Sequence, residues 1–129
     1  MELLGIWKLK DMLSVDENGF KRISAEEIEA MEDNDDSHEY KQMVRADFII
    51  TEDSLSVYYM PTKDELAIVK EEGWEITDKG IMLDSFPCKI ADGVLMLNYE
   101  RDGKDYFPVE VDEEGCLSIS DGLIKIKKA

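Results

Sequence analysis

At 129 residues, with 43% apolar and 36% charged side chains, the chain has the size of a single domain and enough apolar residues for one packed core. Asp and Glu number 31 against 15 Lys and Arg, a formal charge of −16, and such a field repels phosphate backbones and anionic bilayers, which disfavours nucleic-acid or membrane-surface binding. No apolar run approaches the roughly 20 residues of a membrane span, and Met1-Glu2-Leu3-Leu4-Gly5 lacks the charged and apolar regions of a signal peptide.

The first predicted strand covers Leu3 to Leu13, with Leu3, Gly5, Trp7, Leu9 and Leu13 on one face and Lys8 and Lys10 on the other. A helix follows over about 24–33. Ser24-Ala25-Glu26-Glu27 has the form of a capping box, and Ile28 and Met31 make a thin apolar stripe. The acidic stretch Asp33 to Glu39 reads as a mobile loop. Two strands come next: Arg45 to Thr51 puts Ala46, Phe48 and Ile50 together, and Ser54 to Met60 puts Leu55, Val57 and Tyr59 together. Pro61 leads into a second capping box, Thr62-Lys63-Asp64-Glu65. It opens a helix over about 62–72 that Gly73 ends, with Leu66 and Val69 turned inward. A strand over Leu66 to Lys70 is the alternative reading. Trp74 to Ile76 reads as another short strand, joined through Thr77-Asp78-Lys79-Gly80 to one starting at Ile81.

From Ile81 onward, alternating apolar runs are separated by turn residues. These are Ala91-Asp92-Gly93, Arg101-Asp102-Gly103-Lys104, Asp112-Glu113-Glu114-Gly115 and Ser120-Asp121-Gly122. Between them Leu95, Leu97 and Tyr99 share a face, as do Phe107, Val109 and Val111, then Leu117 and Ile119, then Ile124 and Ile126. Strands of this kind pair each with the one before. A mainly β, up-and-down meander of about eight to ten strands, closed into a barrel so that no edge is left open, is the expected fold. One domain over residues 1–129 is expected, with two short helices.

Little in the sequence points to catalysis or metals. Cys88 and Cys116 form neither a CxxC nor a metal-ligand spacing, so they read as reduced, structural thiols of a cytoplasmic protein. His38 is the single histidine. Asp33, Asp35, Ser37 and Glu39 alternate as calcium-loop ligands do, but His38 stands at the glycine position and Val44 at the closing glutamate, so a solvated acidic segment is the better reading. Ser54, Ser56, Ser118 and Ser120 sit at alternating strand positions, read as solvent-facing and without a base. No enzymatic activity, metal or cofactor is expected.

The barrel interior is the remaining candidate site. Its expected ligand-binding residues are Trp7, Leu9, Phe48, Val57, Tyr59, Leu97, Tyr99 and Phe107, with Ile50, Val109 and Leu117 also turned inward. A barrel of about eight strands either fills with these side chains or encloses one small ligand.

Gly5-Ile6-Trp7 in the first strand resembles the opening motif of the lipocalin and fatty-acid-binding (calycin) barrels, in which the tryptophan closes the barrel bottom. The layout is most similar to small lipocalin-like proteins of Firmicutes bacteria, with a Pro-led helix ending in Gly ahead of the hairpin run. The resemblance implies a binding barrel. It departs from the family at two motifs. Thr77-Asp78-Lys79 only partly echoes the lipocalin Thr-Asp-Tyr, and Lys125-Ile126-Lys127 stands where fatty-acid-binding proteins carry Arg-x-Tyr. Arg22, Arg45 and Arg101 fall near strand ends or in a turn, so no inward cation is expected to neutralise a ligand carboxylate. The resulting expectation is a non-enzymatic binder of a neutral, apolar small molecule, its mouth gated by residues 24–39. The alternative is a solid barrel whose acidic segment, 24–39, docks a basic protein.

Overall fold

A computed structural model describes residues 2–100, 104–120 and 122–129. Within them the elements run β1 (Gly5–Asp16), β2 (Gly19–Ser24), α1 (Ala25–Glu29), α2 (Asp35–Arg45), β3 (Asp47–Ile50), β4 (Ser54–Tyr59), α3 (Lys63–Glu72), β5 (Ile81–Ala91), β6 (Val94–Leu97), β7 (Phe107–Pro108), β8 (Glu110–Val111), β9 (Leu117–Ile119) and β10 (Ile124–Lys128). The strands form one antiparallel sheet in the order β7-β6-β5-β4-β3-β1-β10-β9-β8, with β2 attached to β1.

The two ends of that order are halves of one extended segment. Phe107 and Pro108 pair with Leu97 and Met96 of β6, whereas Glu110 and Val111 pair with Ser118 and Leu117 of β9. Between them Val109 donates its N–H to the carbonyl of Leu95 at 2.8 Å. The sheet is thereby nearly closed into a barrel, with its seam at Val109. Pairing of β1 with β10, Trp7 opposite Lys128 and Leu9 opposite Ile126, joins the first strand to the last.

A β-bulge between Leu9 and Asp11 shifts this register. An extra residue reverses the inward phase of a strand, so Met12, not the expected Leu13, packs on the core. That core is one cluster in which Trp7, Phe48, Leu9, Ile50, Leu55, Leu97, Leu117 and Ile126 are each exposed by 2% or less. Burial of each such side chain contributes about 1.5–3 kcal/mol.

At one end, the Trp7 indole N–H donates to the carbonyl of Leu3 at 2.9 Å. The Lys128 ammonium lies 5.2 Å from the indole ring centroid and donates to the carbonyl of Leu4. Gly5 has φ of 125°, open to glycine and strained for other residues, and a Cβ there would come 2.8 Å from Lys128 Nζ.

Three helices stand where two were expected. Residues 35–45 form α2 instead of a loop. Asn34 caps it, accepting from the N–H of Ser37 at 2.9 Å while the Ser37 hydroxyl accepts from the N–H of Asn34 at 3.1 Å. Tyr40, Met43 and Val44 then pack on the core at helical spacing. Helix α1 stops at Glu29, short of the expected 33. Its capping box is half made, since the N–H of Glu27 reaches Ser24 Oγ at 3.1 Å while the Glu27 carboxylate meets that same hydroxyl at 3.4 Å. Helix α3 is helical throughout, with both reciprocal bonds of the Thr62–Glu65 box in place.

Strand β2 was not anticipated. It carries β1 beyond the barrel as a hairpin, and because only Ile23 is buried it lacks the alternation that marks a half-buried strand. Residues 74–76 are not a strand; the N–H of Trp74 is used to cap α3, on the carbonyl of Val69 at 3.1 Å. Ser56, read as solvent-facing, is 7% exposed and shares a 2.9 Å hydrogen bond with Ser85 across β4 and β5. The Asp92-Gly93 turn has φ of 52° and 77°, as a tight hairpin requires. The expected turn at Arg101-Asp102-Gly103, and Asp121 of the last turn, lie outside the described residues.

Candidate functional site

Six of the expected interior residues come together: Trp7, Leu9, Phe48, Val57, Tyr59 and Leu97 are exposed by 4% or less. Trp7, Leu9, Phe48, Val57 and Leu97 border none of the clefts described below. Phe107 lies apart from them, and Tyr99 packs against the edge of the same core cluster. Tyr99 is half-buried, its hydroxyl accepting from the N–H of Ser120 at 3.0 Å, and its ring meets Phe86 edge-on at 5.5 Å. Phe107, expected inward with Val109 and Val111, is 52% exposed. At the seam the strand changes partner at Val109, so only that residue is pinned between the two flanks.

Tyr59 is the interior residue that reaches a cleft. It ends β4 at the end of the barrel where β3 begins and β5 starts, the end from which α3 departs and at which α2 arrives. Between these helices lies an apolar cavity of about 280 Å³, bordered by Pro61, Ile68, Val69, Trp74, Ile81 and Leu83. A polar cavity of about 460 Å³ adjoins it, reaching Asp33, Asn34, Lys41 and Arg45. His38, Gln42, Tyr59 and Glu65 border both. The turn at 77–80 packs beside this floor because Gly80 lacks a Cβ, which would collide with the Tyr59 carbonyl.

One carboxylate organises the junction. Glu65 Oε1 accepts from the Tyr59 hydroxyl at 2.5 Å, the Thr62 hydroxyl at 2.9 Å and the Thr62 N–H at 3.2 Å. Its Oε2 faces His38 Nε2 at 3.9 Å, beyond hydrogen-bond reach. Burial opposes ionisation of Glu65, but the bonds from Tyr59 and Thr62 outweigh it and hold the pKa below the ordinary value. Burial, and then the Glu65 bond, push the Tyr59 phenol up to about 12.

The cations on the polar rim are engaged. Lys41 Nζ donates to Asp33 Oδ1 and to the carbonyl of Met31, each at 2.6 Å, tying the end of α1 to α2. Arg45 Nε meets Glu29 Oε1 at 3.3 Å.

A third cavity, about 490 Å³, lies beside the seam and includes Tyr99, Phe107 and Val111. Its two cations are also paired, Arg22 with Asp11 at 2.5 Å and Lys125 with Asp112 at 3.5 Å.

Burial, with Asp53 nearby, pushes the Cys88 thiol up to about 11, the opposite of what a nucleophilic thiolate needs. Cys116 is also buried. The calcium-like spacing from Asp33 is taken up by α2. Among the described residues no three His, Cys, Asp or Glu groups gather as a metal site, and no helix is long and apolar enough to cross a membrane.

No family model, curated protein or solved structure matches the chain. The nearly closed antiparallel barrel is compatible with a lipocalin-like fold.

Sequence reasoning did not assign Gln42, Glu65, Ile68, Trp74 or Leu83 to a site. The local signal at this place is two apolar residues, Ile68 and Trp74, on a short capped helix and at its exit.

Proposed function

We propose that this protein is a non-enzymatic binder of a small, mainly apolar molecule, seated in the cleft between α2 and α3 over the end of a filled barrel. The observation that carries the reading is the apolar cavity beside Tyr59, where Ile68 and Trp74 remain 57% and 53% exposed. Concave apolar surface with a few convergent polar groups is the usual form of a small-molecule seat. Binding is favoured over catalysis because Glu65 and Tyr59, hydrogen-bonded at the floor, are driven apart in pKa, Glu65 down and Tyr59 up. Neither exchanges a proton near neutrality, as an acid–base catalyst must. The Gly5-Ile6-Trp7 motif at the closed end supports a lipocalin-like ancestry, with the ligand displaced from the interior to the mouth, and the two free thiols, Cys88 and Cys116, favour a cytoplasmic location.

The test is titration with octan-1-ol, followed by the fluorescence of Trp74, alongside native mass spectrometry and organic extraction of freshly purified protein. Saturable binding that Ile68→Glu abolishes supports the reading. No binding, or binding indifferent to Ile68→Glu, overturns it.

A second reading has its own support. Glu26, Glu27, Glu29, Glu32, Asp33 and Glu39 are all exposed along α1, α2 and their junction, a surface suited to a basic protein partner. Such a complex would weaken steeply with salt, since exposed charges are screened beyond about 10 Å at 0.1 M.

A further inference from the structure

We propose that the ligand of the α2–α3 cleft carries a cationic end: an alkyl or aryl ammonium whose apolar body lies along Ile68, Val69, Trp74 and Leu83 and whose ammonium donates to Oε2 of Glu65. This rests on the cleft being the binding seat and goes beyond a neutral ligand.

The distribution of donors around Glu65 is the first argument. Among the described residues, three hydrogen bonds reach Oε1, whereas Oε2 has the His38 ring nitrogen at 3.9 Å. A carboxylate offers about four acceptor positions, and those on Oε2 lie at the border shared by the polar and apolar cavities. The side chain is 23% exposed, so a cation there is partly desolvated and its pairing with the carboxylate correspondingly stronger.

The second argument is what the rim withholds from an anion. Lys41 is held by Asp33 and the Met31 carbonyl, and Arg45 by Glu29. Gln42 Nε2 lies 3.3 Å from His38 Nε2, and that imidazole nitrogen stands 3.9 Å from Glu65 Oε2, beyond hydrogen-bond reach. Around these groups a net charge of −16 concentrates cations and repels carboxylates and phosphates.

The third is the neighbouring apolar wall. The Trp74 indole is oriented by its N–H, which donates to Glu72 Oε2 at 2.8 Å. An extended apolar body can lie along it while its charged end remains at Glu65. The arrangement is amphipathic, with one acidic end and one greasy one.

The test uses three probes of one length, octylammonium, octan-1-ol and octanoate, titrated calorimetrically into the intact protein at low and at physiological salt. Octylammonium is expected to bind at least tenfold more tightly than octan-1-ol, and octanoate most weakly. Glu65→Gln, which keeps an acceptor for Tyr59 and Thr62, is expected to bring octylammonium down to the level of the alcohol. Asp64→Asn, an equal charge change on an exposed residue outside the cleft, is expected to keep the preference. If octan-1-ol binds but octylammonium binds no tighter, or if Glu65→Gln leaves the preference intact, the cationic end is wrong while the cleft stands. If none of the three binds, the cleft itself is wrong and this inference falls with it.

Discussion

The Tyr59 hydroxyl donates a 2.5 Å hydrogen bond to Oε1 of Glu65, joining the last residue of a barrel strand to the first turn of the helix beyond it. Helix α3 buries no residue fully, so its position depends on few contacts. Tyr59→Phe retains the ring and removes the bond. It is expected to cost about 1–2 kcal/mol in urea unfolding and to raise the Glu65 pKa, read by carboxyl NMR. An unchanged Glu65 titration would show that the bond does not hold the carboxylate.

The burial of Leu97 and the exposure of Phe107 make a quantitative demand. Leu97, fully buried, is expected to lose about 2–5 kcal/mol on replacement by Ala, because the cavity collapses only in part. Phe107→Ala, at a residue 52% exposed, is expected to lose under about 1 kcal/mol. Chemical denaturation of the two variants checks the pair, and equal losses would contradict the placement of Phe107 outside the core.

Two glycines with positive φ are expected to respond unequally. At Gly5 an added Cβ meets the flexible end of Lys128, whereas at Gly80 it meets the backbone carbonyl of Tyr59. Both substitutions strain φ, but Gly80→Ala must also displace backbone at the floor of the cleft. Its melting temperature is expected to fall further than that of Gly5→Ala, and its loss of octan-1-ol binding to be the greater.

Stability is expected to fall at both extremes of pH. Asp33 is lowered chiefly by the Lys41 hydrogen bond, Asp112 chiefly by the Cys116 N–H, and Glu65 by its donors against burial. A depressed carboxyl pKa stabilises above the unfolded value, about 4, and that stabilisation is lost as pH falls through the folded value. Tyr59, raised to about 12, acts oppositely. Its contribution is complete below about pH 10, the unfolded value, and is lost as pH rises toward 12. Melting temperature against pH checks both limbs, and Tyr59→Phe is expected to flatten the alkaline one.

The barrel was legible because its second half repeats one simple signal, apolar alternation broken by Asp-Gly turns, which the register of β5, β6, β9 and β10 follows. Three features interfered elsewhere. The Leu9–Asp11 bulge leaves no mark in composition, yet it exchanges Leu13 for Met12 in the core. The density of acids at 33–39 masked the Asn34–Ser37 capping box and the spacing of Tyr40, Met43 and Val44 that make α2. The hairpin strand β2 buries Ile23 alone, so no period of two identifies it. Reading the site failed for a related reason. Tyr59 was visible as an inward strand residue, but its partner Glu65 belongs to a capping box, and nothing local shows that a capping carboxylate also faces a cleft. Whether aromatic interior residues fill a barrel or line it depends on how they converge in space, which periodicity does not record.

A methyl and indole NMR titration with octan-1-ol distinguishes a binding seat between α2 and α3 from one inside the barrel. Shifts are expected at Ile68, Val69, Ile81, Leu83 and the Trp74 indole, with the Trp7 indole, Leu97 and Leu117 unmoved. Shifts centred on Trp7, Leu97 and Leu117 would place the ligand inside the barrel and contradict a seat between α2 and α3.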